Sequence, residues 1–74
     1  MNRSQSAAAA AIARAESMPR PHTVAIAIAL YETRLQLYSY KNRAHVYGAH
    51  WTAARLRRVT RELANAIDAA NTTV

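Results

Sequence analysis

TVAIAIALYETRLQLYSYKNR, from Thr23 to Arg43, decides the fold class, because it satisfies two periodicities at once. Val24, Ile26, Ile28 and Leu30 alternate with alanine, and residues 34–37 continue the alternation, which is the period of a strand. A β-hairpin built on this pattern needs a turn near Glu32 and Thr33. No Gly, Pro, Asn or Asp stands there, and alanine is a poor strand former, so the segment reads as one uninterrupted helix. On a helical wheel Val24, Ile28, Tyr31, Leu35 and Tyr38 form one stripe, and Ile26, Leu30 and Leu37 form a second on nearly the opposite side. Two apolar stripes predict a central helix with a neighbour on each side. The third helix covers one of them, which leaves Ile26, Leu30 and Leu37 for the first helix or for another subunit.

Outward from this segment the punctuation is sparse. Pro19-Arg20-Pro21 is one breaker, and Gly48, the only glycine, marks another. Before the prolines, residues 6–17 are rich in the best helix former, with Ser4 or Ser6 as the cap. The stripe there is thin, since Ala8, Ile12 and Ala15 include a single large side chain, and the helix is expected to fray when alone. After Gly48, Thr52 is a good N-cap, and Trp51 stands where it staples onto Leu56. Thr52, Leu56, Val59, Leu63, Ala66, Ile67 and Ala70 then share one face, with Arg57, Arg58, Arg61, Asn65 and Asp68 opposite. The expected architecture is all-α: a small three-helix protein with a weak N-terminal helix and an antiparallel helical hairpin, completed by oligomerisation. Residues 1–22 supply the Ala-rich helix and Pro linker, and residues 23–74 the hairpin core.

Composition predicts a homo-oligomer. A chain of 74 residues buries only about 60% of the surface it exposes when unfolded. It has no Cys for disulfides or zinc thiolates, so association is the remaining means of stabilising a core this small. Arg14, Glu32 and Arg34 interrupt every apolar run, so no membrane span is expected. The Ala-rich start is a poor signal sequence, with alanine in place of a strongly apolar stretch and Glu16 within it, and a cytoplasmic location follows. The net charge of +6 favours anionic partners, either nucleic acid or an acidic protein surface. Nine of ten basic residues are Arg and eighteen residues are Ala, a bias that GC-rich codons alone produce. The charge excess and its placement therefore carry the argument, and the preference for Arg does not.

Placement points to Arg57, Arg58 and Arg61, with Arg55 at the edge, which span about one and a half helical turns and suit adjacent phosphates. The competing reading is a solvated face on which Arg58 and Glu62 form a weak i,i+4 pair. Lys41 and Arg43 add charge beside Tyr38, Tyr40, Tyr47 and Trp51, an interleaving that suits single strands, although aromatics at a helical corner also simply close a core. Ala44 and Gly48 stand at helix-turn-helix spacing, but that register puts Arg43 and Arg57 where apolar residues belong. His22, His45 and His50 lack accompanying carboxylates or thiolates at metal-binding spacing. With no nucleophile–base pair, Gly-rich phosphate loop or paired carboxylates, neither enzyme chemistry nor a cofactor is expected. Lipid binding by Leu56, Val59, Leu63 and Ile67 would remove the core of the fold. Two function classes remain. One is a small nucleic-acid-binding accessory or regulatory protein. The other is a helical adaptor of the kind small phage or bacterial genes encode, presenting Ile26, Leu30, Leu37, Tyr40 and Tyr47 to a larger protein.

Overall fold

The first helix starts on a reciprocal cap. Asn2 Oδ1 accepts from the Gln5 amide at 2.9 Å, and Gln5 Oε1 accepts from the Asn2 amide at 3.0 Å, satisfying two donors that a helix start leaves open. Helix α1 (Arg3–Glu16) therefore begins earlier than the serines suggested, and its cap is Asn2. The computed structural model describes residues 2–19, 23–42 and 52–72, and for residues 40–42 the backbone alone. Arg43, Ala44, Tyr47, Gly48, Trp51 and the three histidines lie outside the described residues, as do the side chains of Tyr40 and Lys41.

The segment with two periodicities is a helix throughout. Helix α2 (Val24–Asn42) runs unbroken, with Thr23 Oγ1 accepting from the Ile26 amide at 3.1 Å. Helix α3 (Ala53–Thr72) starts at the expected cap, where Thr52 Oγ1 accepts from the Arg55 amide at 3.0 Å. No strand occurs among the described residues.

The core shows which stripe of α2 turns inward. Ile26, Ala29 and Leu30 pack with Ala11 and Ala15 of α1 and with Leu63 and Ile67 of α3. Leu37 packs with Ala8, Leu56 and Val59. The assignment of Ile26, Leu30 and Leu37 to a partner is corrected: they are 0%, 7% and 8% exposed inside the chain's own core. The stripe left outside is the other one, with Val24, Ile28, Tyr31 and Tyr38 each more than half exposed. Side-chain chemistry accounts for the choice, because a tyrosine buried in a dry core must find a partner for its hydroxyl, and the inner stripe has no tyrosine.

The inner face of α2 meets α1 and α3 together, which is possible because α1 presents small residues. Ala8 and Ala15 are fully buried and Ala11 nearly so, and short side chains let helix axes approach closely. Each fully buried Ile26, Leu56, Leu63 or Ile67 contributes on the order of 1.5–3 kcal/mol before conformational entropy is subtracted. Among the described residues two ion pairs join α1 to its neighbours, Arg14 to Asp68 at 3.2 Å and Glu16 to Arg34 at 2.6 Å. All four side chains are more than half exposed, so each pair contributes at most about 1 kcal/mol. The radius of gyration, 12.2 Å, lies near the ~11 Å of a compact chain of this length and far from the ~26 Å of an unfolded one.

Candidate nucleic-acid interface

The buried positions of α3, Leu56, Val59, Leu63 and Ile67, follow helical spacing and leave the first two turns of the opposite face to arginine. Arg55, Arg57, Arg58 and Arg61 are all exposed. Arg57, Arg58 and Arg61 make no side-chain hydrogen bond or ion pair among the described residues. The i,i+4 pair of Arg58 with Glu62 does not form, so this face is not neutralised from within. Asp68, the other acid of α3, is held by Arg14 near the far end of the helix.

Beside these arginines lies an open groove of about 440 Å³ between α1 and α3, lined by Ser4, Ala7, Arg57, Thr60, Arg61 and Ala64. The floor is small because Ala7 and Ala64 are small, and among the described residues no aromatic ring lines it. Such a groove offers no platform for a stacked base. It suits a phosphate and sugar chain, approached by Arg57 and Arg61 one helical turn apart.

Beyond the groove lining, α1 carries an arginine that sequence reasoning missed. Arg3 is exposed and stands one helical turn before Ala7, on the same side of α1. Its relation to the α3 arginines depends on α1 starting at Arg3, which only the Asn2 cap reveals.

No family model, curated protein or solved structure matches the chain.

Geometry therefore carries the functional reading. Arg55, Arg57, Arg58 and Arg61 are exposed on α3, and the groove brings Arg57 and Arg61 together. Tyr38, the one member of the aromatic cluster whose side chain is described, lines a separate recess with Ile12, Arg34 and Leu37. It does not line the α1–α3 groove, so no described ring stands with Arg57 and Arg61; the cation beside Tyr31 and Tyr38 is Arg34. No group of three or more His, Cys, Asp or Glu that could hold a metal ion occurs among them either. Among the described residues, no helix is long and apolar enough to cross a membrane.

Proposed function

We propose that the chain is a small nucleic-acid-binding accessory protein that grips backbone phosphates with Arg57, Arg58 and Arg61 of α3, assisted by Arg55 and by Arg3 of α1. The supporting observation is that three exposed guanidinium groups have no partner among the described residues and that two of them, Arg57 and Arg61, border a shallow groove lined by no described aromatic ring, on a chain of net charge +6. Contacts of this kind position a protein on nucleic acid without reading bases, and the expected mode is independent of sequence. The grouping of core residues supports an antiparallel α2–α3 hairpin as the scaffold. Self-association would set two such faces on one assembly.

Fluorescence polarisation against mixed-sequence duplex DNA and single-stranded RNA, titrated up to physiological salt, tests this reading. Three or four phosphate contacts give a log–log salt slope of roughly −3 to −4 on duplex. Affinity in the micromolar range or tighter is expected to persist near physiological salt. Replacing Arg57, Arg58 and Arg61 by Ala should flatten the slope by about three, and Arg3→Ala by about one. Binding that disappears at physiological salt, or that the triple variant leaves unchanged, would refute the assignment. The same face would then suit an acidic protein surface, the adaptor reading.

A further inference from the structure

We propose that the outer face of α2 binds the same face of a second copy of this chain, in an antiparallel helix pair. The surface consists of Val24, Ile28, Tyr31 and Tyr38, which are 75%, 54%, 56% and 61% exposed, with half-buried Leu35 among them. The proposal is independent of nucleic acid, since none of these residues belongs to the arginine face.

Spacing is the first argument for a second copy. The five residues follow one another at intervals of four, three, four and three, the repeat by which one helix interdigitates with another of the same repeat. A twofold axis brings a surface against itself, so a face that is self-complementary along its length closes a dimer.

Charge is the second argument, and it selects the register. Arg34 lies on one rim of the face and Glu32 on the other. In the antiparallel register that sets Val24 against Leu35 of the second copy and Ile28 against its Tyr31, Arg34 stands across from the second copy's Ala27. Glu32 then stands across from the second copy's Ala25. Each long charged side chain meets a small neutral one, and no like charges oppose. A slip by one heptad would put Glu32 against Glu32 and Arg34 against Arg34, which is disfavoured. Glu16 holds the Arg34 guanidinium at 2.6 Å, so this cation is paired within its own chain.

Area is the third argument. Taking a large side chain to expose on the order of 150–250 Å² when free, Val24, Ile28, Tyr31 and Leu35, the residues this register pairs, present roughly 350 Å² of mainly apolar surface per chain. Two copies with their flanking alanines and charged stems bury on the order of 900 Å², the range of weak, reversible association.

Sedimentation equilibrium of the full chain over a wide concentration range, with circular dichroism in parallel, tests the proposal. The expected species has twice the 8.2 kDa of one chain. Ile28→Glu combined with Tyr31→Glu should return it to a single chain with its helical signal intact, raising the dissociation constant at least about 100-fold. Asn65→Glu, on the exposed face of α3, should leave the dimer in place. A wild-type chain that sediments as one copy throughout would overturn the proposal, whatever else its α2 face binds. A double variant that stays helical and dimeric would do the same. If the double variant loses its helices, thermal melting of the wild type decides: a midpoint rising with protein concentration supports the dimer, and a constant midpoint refutes it.

Discussion

Thr33 is fully buried, and its single hydroxyl proton faces two acceptors, the Ala29 carbonyl at 2.8 Å and the Val59 carbonyl at 3.1 Å. The second contact crosses from α2 to α3 and fixes their register at mid-length, where an apolar side chain would allow sliding. Val59 and Ala29 lie inside helices, so their carbonyls keep backbone donors when the hydroxyl is removed, and no buried group is stranded. Thr33→Val should therefore cost only about 0.5–1.5 kcal/mol, lowering the thermal midpoint by several degrees in a chain this small. A midpoint equal to or above that of the wild type would show that the hydroxyl contributes nothing net. Sequence reading used Thr33 only as the absence of a turn residue. Nothing marks a lone threonine between two apolar stripes as core until the partner helix is in place.

At the scale of elements, local chemistry made α2 and α3 readable, and the docking of α1 stayed hidden. Thr52 announces α3 through its hydroxyl, and the lack of any turn former between Val24 and Leu37 keeps α2 whole. The two stripes of α2 are equally apolar, so periodicity cannot rank them, and the tyrosine hydroxyls on the outer stripe were the unused signal. For α1, a small number of large side chains was read as a thin stripe. In the fold, the alanines are what permit close approach to α2 and α3 together. Ala15→Leu should accordingly overpack the α1 contact with Leu30, Leu63 and Ile67 and cost about 1–3 kcal/mol in urea melts. Ala10→Leu, on the exposed side of α1, should stay within about 0.5 kcal/mol of the wild type. Equal stability for the two variants would mean that α1 is not docked through its alanines.

The whole molecule presents two surfaces of different chemistry. On α3, Arg57 and Arg61, with no acidic partner among the described residues, border a shallow groove; on α2, an apolar seam lies away from both neighbouring helices. A chain this short has a small interior, and the contrast between these surfaces separates its two proposed associations. Charge placement on α3 was legible in the sequence because Arg57, Arg58 and Arg61 oppose four apolar residues on a strongly periodic helix. The contribution of Arg3 was not, because it depends on how α1 lies beside α3, which no local pattern encodes. The most direct test of the phosphate-binding face is to follow backbone amide NMR shifts while adding mixed-sequence duplex DNA near physiological salt. The predicted result is perturbation of residues 3–7 and 55–64, with residues 24–38 of α2 unmoved; shifts confined to α2, or none at all, would contradict it.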